Sequence, residues 1–337
     1  MLRHFMFDVL SNMSIKTASV ILAAGKGTRM CSSIPKVLHT LAGQPLLEYA
    51  LDLGLHICNL PIVVVGFESE KVQEFIGDRA KVVLQNQQLG TGHALYQTAD
   101  VLRGQADMVL VWAADMPLLT KSLLESVVHC QTKNEGPVSI ITAISDDDRG
   151  FGKVVRSDRR EVQAVVEQSD ATSEQLAINE LNVGVYCFDS LWLWDELSTL
   201  KPSASGEYYL TDLIESAASQ RQKIGVVTSN AGDEIIGINT RIHLAEAESA
   251  LRARINHSWM ERGVTLIDPD NTYIDSNVEI GLDTIILPNT HLQGGTVVGS
   301  ECTLGPNSTI RDSAMGNRCK IESSVVEGAI LEDEVDV

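Results

Sequence analysis

A six-residue repeat near the end of the chain constrains the fold more than any other sequence feature. Apolar residues recur every six positions, at Ile274, Ile280, Ile286, Leu292, Val298, Leu304 and Ile310. The spacing slips by one residue near Met315 and resumes at Ile321. A fixed short period with one apolar residue per unit is typical of a solenoid. Six-residue units fit a parallel β-helix with three faces per coil, and chance spacing of ordinary β-turns is the alternative.

Before the repeat, apolar strand patterns alternate with helical patterns. Strands are predicted at 18–22, 62–65, 108–112 and 138–142, and helix-like stretches at 45–58, 68–77, 92–103 and 120–134. This alternation predicts an α/β domain with a mostly parallel sheet covered on both faces. Residues 241–262 are rich in helix formers and predict one helix that links this domain to the repeat.

The first predicted strand runs into a glycine-rich loop, in which residues 22–30 read LAAGKGTRM. Backbone N–H groups of such a loop can face phosphates, and Arg29 and Lys36 add positive charge. The loop lacks the ending of a Walker A motif and the third glycine of the dinucleotide fingerprint. It indicates a phosphate site of another kind, although strand-to-helix turns also use glycine for purely structural reasons.

Charge and composition narrow the classes of partner. The chain has 337 residues, enough for about two domains, and a formal net charge of −19. This charge argues against non-specific binding to nucleic acid or to anionic membranes, so an anionic substrate needs local cations such as Lys26. The six cysteines are scattered without a CxxC pair, which predicts a cytoplasmic protein without a zinc site. No apolar run approaches the length of a membrane span.

Two further polar segments follow predicted strands. Residues 85–94 read QNQQLGTGHA; their amides can read a nucleotide base, or Thr91 can simply cap a helix. Asp115 is either a Mg²⁺ ligand or the cap of the next helix. Glu207, in a later polar island, either caps a helix or touches a ligand. No Ser–His or Cys–His nucleophile can be inferred, which favours direct in-line phosphoryl transfer.

These motifs resemble the bifunctional N-acetylglucosamine-1-phosphate uridyltransferase / glucosamine-1-phosphate acetyltransferase (GlmU) family. The matching segments, in family order, are residues 22–30, 35–39, 85–94, Asp115, 150–152, 166–167, Asn182, 206–209 and Asn239. The resemblance implies a Rossmann-like (GT-A-like) nucleotidyltransferase domain followed by a short left-handed parallel β-helix. The expected boundaries are an N-terminal extension at 1–17, the nucleotidyltransferase domain at 18–240, the linker helix at 241–262 and the β-helix at 263–337.

The resemblance also implies an active site and a reaction. It implies nucleotide binding by Leu22, Ala23, Ala24, Gly25, Gly27, Gln85, Gly90 and Thr91, catalytic Arg29 and Lys36, sugar binding by Gly152, Glu167 and Asn182, and Mg²⁺ binding by Asp115 and Asn239. A phosphate oxygen of N-acetylglucosamine-1-phosphate is expected to attack the α-phosphorus of UTP. The products are UDP-N-acetylglucosamine and pyrophosphate, with no covalent enzyme intermediate.

The chain departs from the family pattern at two positions and at its end. Ala114 stands where the family usually has glycine, and Val183 where threonine is common. Transfer to glucose-1-phosphate or another hexose-1-phosphate is therefore one alternative, and a non-catalytic nucleotide-binding subunit is another. The chain stops at Val337, before the family's acetyltransferase residues, so we expect no acetyltransferase activity. The family's β-helices imply a homotrimer, here built on about three coils.

Overall fold

The computed structural model describes residues 15–146, 150–230 and 232–337, and contacts divide it into two compact units. The first unit contains the described residues up to Leu38 and those from Leu47 to Gly237; the second contains His39–Leu46 and Ile238–Val337. Residues 1–14 of the expected extension lie outside the described residues. The domain boundary near residue 240 stays a prediction.

The second unit includes a segment that the sequence analysis assigned to the first domain. Residues 39–46 carry a short hairpin whose backbone is bonded within the second unit: the Ala42 N–H donates to the Glu248 carboxylate at 2.9 Å, and the Ser276 N–H donates to the Ala42 carbonyl at 3.0 Å. These bonds join residues far apart in sequence, which no local pattern reveals.

Strands and helices are numbered here in chain order through the described residues. The strands are β1 Thr17–Ala23, β2 Thr40–Leu41, β3 Gln44–Pro45, β4 Ile62–Val65, β5 Lys81–Leu84, β6 Met108–Ala113, β7 Val138–Ile144, β8 Lys153–Arg156, β9 Val162–Val166, β10 Glu180–Asp189, β11 Ile224–Ser229, β12 Thr265–Leu266, β13 Thr272–Ile274, β14 Glu279–Ile280, β15 Ile285–Ile286, β16 Thr290–Gln293, β17 Val297–Val298, β18 Thr303–Leu304, β19 Thr309–Arg311, β20 Ala314–Met315, β21 Lys320–Ile321, β22 Val325–Glu327 and β23 Ile330–Leu331. The α-helices are α1 Leu46–Ile57, α2 Ser69–Ile76, α3 Thr91–Tyr96, α4 Ala99–Leu102, α5 Lys121–Lys133, α6 Ser173–Leu176, α7 Ser190–Leu197, α8 Asp212–Ser219 and α9 Arg241–Glu261.

The first unit is built on a nine-stranded, mostly parallel sheet, as the sequence pattern predicts. Its main path is β11-β7-β10-β6-β1-β4-β5, with β8 and β9 attached beside β10. Strand β10 runs antiparallel to β6 and β7, whereas β1, β4, β5 and β6 pair in parallel. Parallel neighbours bring their carboxyl ends to one edge, where ligands of open α/β sheets bind.

Both faces of this sheet are buried against helices. Consecutive residues of β1 pack into two different apolar clusters, one on each face of the sheet. Ile21 lies in one cluster and Val20 in the other, and both side chains are fully buried. Strand side chains alternate between faces, so continuous apolar runs mark a strand covered on both sides. Helix α5 then follows a threonine cap, because the Thr120 hydroxyl accepts the Leu123 N–H at 3.3 Å.

The prediction of one continuous helix at residues 92–103 is wrong. The stretch 92–103 forms two short helices, α3 and α4, rather than one. The buried Thr98 hydroxyl between them donates to the Leu95 carbonyl at 2.7 Å. A threonine that bonds the backbone locally competes with the helical ladder, which accounts for the break.

The second unit contains three parallel sheets of short strands that form the predicted β-helix of hexapeptide repeats. The sheets are β12-β15-β18-β21, β13-β16-β19-β22 and β14-β17-β20-β23. Inward-facing partners on successive coils lie 18 residues apart at Leu292 and Ile310, 17 apart at Val298 and Met315, and 16 apart at Ile310 and Val326. The slip in the repeat is therefore absorbed by shorter coils. Each sheet has four strands, so the expectation of about three coils was too low.

Helix α9 belongs to this unit and packs against its first coil. The Thr240 hydroxyl caps the helix by accepting the His243 N–H at 3.2 Å. The buried Asn256 amide donates to the Pro269 and Thr272 carbonyls at 2.7 and 3.0 Å, which fixes the helix to the coil. Nowhere in the described ranges does a helix combine the length and apolar character that a membrane crossing requires.

Candidate active site

A cavity of about 580 Å³ opens in the first unit where β1, β5, β6 and β9 end. The predicted site residues that line it are Leu22, Ala23, Ala24, Gly25, Gly27, Lys36, Gln85, Gly90, Thr91, Asp115 and Glu167. Lys26, flagged as a local cation, also lines it. A ligand in this cavity faces exposed loop backbone and charged side chains on the same sheet edge, the arrangement that polyphosphate binding needs.

The loop after β1 is shaped around Lys36. Gly27 has φ +59°, and a Cβ there would lie 2.6 Å from the Lys36 Cβ. Only glycine allows both this backbone conformation and this approach. The Lys36 stem therefore packs on the loop, and its ammonium pairs with the Asp115 carboxylate at the cavity.

The structure excludes one of the two interpretations of Asp115. Thr120, not Asp115, caps the following helix α5. Among the residues that the structure describes, no three or more His, Cys, Asp and Glu side chains group into a metal site. A single carboxylate still fits Mg²⁺, which takes one or two carboxylates and shares the rest of its shell with water and substrate phosphates.

Asn239, the second predicted metal ligand, belongs to the second unit. It stands directly before Thr240, the cap of α9, and its N–H lies 3.4 Å from the His243 Nδ1. Its participation with Asp115 in one metal site stays a prediction.

The loop between β5 and α3 is held in place by the segment before α8. The buried Gln85 amide donates to the Gly90 carbonyl at 3.1 Å. Gly90 has φ +98°, a backbone conformation that residues with a side chain rarely adopt. A Cβ there would also lie 2.5 Å from the Tyr208 carbonyl oxygen, so both the backbone and the available space require glycine. Thr91 does not cap α3; its hydroxyl instead accepts the Leu210 N–H at 3.0 Å.

Glu167 brings a carboxylate with a shifted pKa to the cavity. It follows β9 and accepts a hydrogen bond from the Thr211 hydroxyl at 2.9 Å. Burial raises the pKa of Glu167, and the neighbouring Asp212 and Asp170 carboxylates raise it further. The ionised form of Glu167 is therefore costly at this position, although the hydrogen bond from Thr211 partly offsets the cost.

Three predicted residues of this unit do not line the cavity. Arg29 is exposed on the 3₁₀ turn Thr28–Met30 that follows the loop. Gly152 and Asn182 are both buried and bonded to each other, with the Asn182 N–H donating to the Gly152 carbonyl at 2.8 Å. The Asn182 side-chain amide donates to the Tyr186 hydroxyl at 2.7 Å. Burial and the charge of Glu167 raise the pKa of this tyrosine.

Other lining residues received no role from the sequence. Thr28, Gln88 and Tyr209 line the cavity and lie within the quoted motifs, where their residue types alone suggested no chemistry. Glu207, for which the sequence left a helix cap and a ligand contact open, also lines it. Glu207 does not cap the helix that follows it, since α8 is preceded directly by Thr211.

The two departures from the family pattern lie in the hydrophobic core. Ala114 is 0% exposed and Val183 is 1% exposed, and both side chains pack in the same apolar cluster. Neither lines the cavity. These substitutions therefore change core packing rather than the wall that a substrate meets.

Comparisons with known proteins identify relatives of the chain. Residues 19–182 match the family described as MobA-like NTP transferase domain, and residues 277–312 match the bacterial transferase hexapeptide family (six repeats). The chain is 42% identical to the bifunctional protein GlmU of Exiguobacterium sibiricum, over 91% of this chain and 69% of the relative. It is also 42% identical to the GlmU of Caldanaerobacter subterraneus subsp. tengcongensis, over 95% of this chain and 70% of the relative.

A solved structure shows the same fold at lower sequence identity. A Bacillus anthracis protein assigned as a glucose-1-phosphate thymidylyltransferase superposes with a TM-score of 0.56 at 21% identity. The superposition covers 69% of this chain and 94% of that one. With a nucleotidyltransferase fold, a hexapeptide β-helix and close relatives over nearly its whole length, the chain belongs to the GlmU family of nucleotidyltransferases.

Proposed function

We propose that this protein transfers a uridylyl group from UTP to N-acetylglucosamine-1-phosphate, with Mg²⁺, and releases pyrophosphate. The observation that carries the proposal is that the glycine-rich loop, Lys36 and Asp115 meet at one cavity. Membership of the family supports nucleotidyl transfer. The choice of UTP and of the N-acetylated sugar rests on the resemblance of the motifs.

In this proposal the protein acts by positioning and by charge. Backbone N–H groups of residues 22–27 and the Lys36 ammonium hold the triphosphate, and Arg29 adds a cation from the turn beyond the loop. A phosphate oxygen of the sugar phosphate attacks the α-phosphorus of UTP in line, forming one P–O bond as the bond to pyrophosphate breaks. Lys36 offsets the charge that develops on the leaving pyrophosphate.

Asp115, together with Asn239, is proposed to hold Mg²⁺. When bound, the ion supplies charge neutralisation for the nucleotide and sugar phosphates. The same Asp115 carboxylate pairs with the Lys36 ammonium. A triphosphate bound at this cavity would offer the Lys36 ammonium a second anionic partner besides Asp115.

Glu167 is proposed to accept a hydrogen bond from a sugar hydroxyl. Gly152 and Asn182 stay proposed members of the sugar site, although neither lines the cavity. Because Ala114 and Val183 are buried in the core, their departure from the family pattern gives no reason to prefer another hexose-1-phosphate. N-acetylglucosamine-1-phosphate remains the better-supported acceptor.

The β-helix is proposed to associate as a homotrimer. One of its sheets presents an outward ladder of apolar side chains, in which Val297 pairs with Ala314 and Ala314 with Ile330. Val297 is 42% and Ile330 83% exposed within one chain. A contiguous apolar strip on a soluble surface marks a site of association.

A pyrophosphate-release assay with UTP tests the proposed reaction. N-acetylglucosamine-1-phosphate should give the higher kcat/KM, with glucose-1-phosphate as the matched acceptor. Faster turnover of glucose-1-phosphate would select the alternative substrate. Binding of UTP in calorimetry without release from any acceptor would identify a non-catalytic subunit.

A further inference from the structure

The side chains of Gln85, His93 and Gln97 lie next to one another beside Gly90, and the proposed reaction gives His93, the central one, no role. Gln85 Nε2 lies 3.1 Å from the Gly90 carbonyl oxygen and 2.9 Å from the His93 Nδ1. On the other side of the imidazole, Gln97 Nε2 lies 3.2 Å from the His93 Nε2 and 3.1 Å from the His93 carbonyl oxygen. The Tyr208 ring flanks the imidazole, with centroids 6.3 Å apart.

The carbonyl of Gly90 decides the orientation of the Gln85 amide. A carbonyl oxygen can only accept, so the atom of Gln85 beside it must be the NH₂ group. The same NH₂ group lies beside the His93 Nδ1, which must therefore accept and carry no proton. The neutral ring then bears its proton on Nε2.

The tautomer with the proton on Nδ1 is less stable, because its two opposed N–H donors would meet at the more buried side of the ring. With the proton on Nδ1, two donors would meet at 2.9 Å beside Gln85, which is 3% exposed. With the proton on Nε2, the only crowded contact is the longer one to Gln97, a less buried residue whose amide keeps its bond to the His93 carbonyl. An unmade hydrogen bond costs most where water cannot replace it.

This arrangement fixes what Gln85 offers to a ligand. Its NH₂ group is committed to Gly90 and His93, and its Oε1 accepts no hydrogen bond from any residue within the described ranges. Gln85 lines the cavity. The side chain thus offers the cavity an acceptor and not a donor.

We propose that His93 is a positioning residue that sets the pyrimidine preference of the site by holding the Gln85 Oε1 available to the base. This inference rests on the proposed uridylyl transfer. Uracil carries an N–H at ring position 3, which donates to such an acceptor. Cytosine has a bare acceptor nitrogen at the same position, so it meets an acceptor with an acceptor and leaves both unpaired.

Isosteric variants of His93 separate this role from a merely structural one. In His93→Asn, the side-chain oxygen lies where Nδ1 was and still accepts from Gln85. In His93→Gln the amide reaches the Nε2 position instead, and in His93→Phe both nitrogens are lost. Gln97→Ala is the matched control, because it removes only the contact on the Nε2 side.

The measurement is kcat/KM for UTP and for CTP with one sugar phosphate. His93→Phe and His93→Gln are expected to lower the UTP/CTP ratio by about tenfold, the worth of one hydrogen bond, chiefly through the KM for UTP. His93→Asn and Gln97→Ala should keep the wild-type ratio. An unchanged ratio in His93→Phe overturns the inference, as does an equal loss in His93→Asn; a general distortion of the loop lowers turnover of both nucleotides and leaves their ratio intact.

Nitrogen-15 NMR of histidine-labelled protein tests the tautomer without substrate, with His93→Phe providing the assignment. An unprotonated Nδ1 in neutral His93 is expected. Wild-type protein that turns over UTP but carries the Nδ1 proton overturns this inference alone. Wild-type protein with an unprotonated Nδ1 and no turnover of UTP overturns the proposed function.

Discussion

The ammonium of Lys36 pairs with the carboxylate of Asp115 at the wall of the cavity, although the two residues are 79 positions apart in sequence. Their side chains are only 13% and 19% exposed. A pair so shielded from water leaves a costly unpaired charge when either partner is removed. In the proposed function, substrate phosphates would offer Lys36 an anionic partner and a metal ion would offer Asp115 a cationic one, so that both charges stay paired.

Asp115→Asn is expected to lower kcat by about 100-fold or more, the scale of losing one charge-stabilising group. The Mg²⁺ concentration that gives half-maximal rate should rise, because the ion loses a charged ligand. Steady-state pyrophosphate release over a Mg²⁺ titration measures both effects. Glu207→Gln is the matched control, since it also removes a carboxylate from the cavity wall. An unaltered Mg²⁺ dependence in Asp115→Asn would contradict the metal assignment.

Gly90→Ala is expected to lower kcat/KM for UTP by more than about tenfold. The new Cβ would meet the Tyr208 carbonyl at 2.5 Å, so the loop must move and carry Gln85 with it. Gly104→Ala is the control: Gly104 also has a positive φ, +73°, but a Cβ there meets nothing within 4 Å. It should cost about 1 kcal/mol of stability and no activity. Equal kinetics in the two variants would refute the role of the clash.

Glu167→Gln is expected to stabilise the protein at pH 7 by up to about 2 kcal/mol while raising the KM for the sugar phosphate. Burial raises the pKa of Glu167 in the folded chain, so its ionised form opposes folding. This cost is present above the raised pKa and disappears as the pH falls through it towards the ordinary value. Glutamine keeps the bond from Thr211 without the charge.

Urea denaturation at pH 7 and near pH 4 checks the sign of the Glu167 effect. The advantage of Glu167→Gln should be larger at pH 7 and nearly vanish at the lower pH. The exposed Glu161, changed to glutamine, should stay within about 0.5 kcal/mol of the wild type at both values. A Glu167→Gln advantage that grows on acidification would contradict the burial argument.

Restoring the family residues with Ala114→Gly and Val183→Thr is expected to leave the acceptor preference unchanged. Both side chains lie in the core and away from the cavity. The threonine hydroxyl should cost about 1–3 kcal/mol of stability, because it is buried among apolar neighbours. Relative rates with N-acetylglucosamine-1-phosphate and glucose-1-phosphate measure the preference. A clear shift between the two acceptors would show that these positions reach the sugar.

Ile330→Glu is expected to convert the proposed trimer to monomers without unfolding the β-helix. Ile330 points outward on its sheet and is 83% exposed in one chain. Light scattering measures the mass, and circular dichroism verifies the fold. Val325→Glu is the control, because Val325 is 77% exposed but lies on a different sheet. A wild-type protein of monomeric mass would refute the assembly.

The sequence predicts the periodic parts of this fold well because their cause is local. One apolar residue per six is what a coil of the β-helix needs at each face, so Leu292 and Ile310 reveal both the strand and its register. A strict six-residue period does not predict the shortened coils after Ile310. Helix propensity does not predict the break at Thr98, because a local hydrogen bond of its hydroxyl outweighs that propensity.

The candidate site is predictable where backbone and charge dictate the residue. Gly27 and Gly90 have conformations that exclude side chains, and such positions stand out as glycines in sequence. The hydrogen bond between Gln85 and His93 cannot be predicted from the sequence, because nothing in the types or the spacing of two polar residues eight positions apart indicates it. Nor does the sequence show that Ala114 is enclosed in the core, since burial depends on distant strands.

The small hairpin at residues 39–46 has a consequence for the order in which the protein can assemble. A ribosome delivers Ala42 before Glu248, its hydrogen-bonding partner 206 positions later, so the second unit cannot mature until the residues of the first unit have been synthesised. A fragment excised from residue 238 onward would likewise lack a native component. The segments of the two units therefore alternate along the chain, and a single cut cannot separate one complete unit from the other.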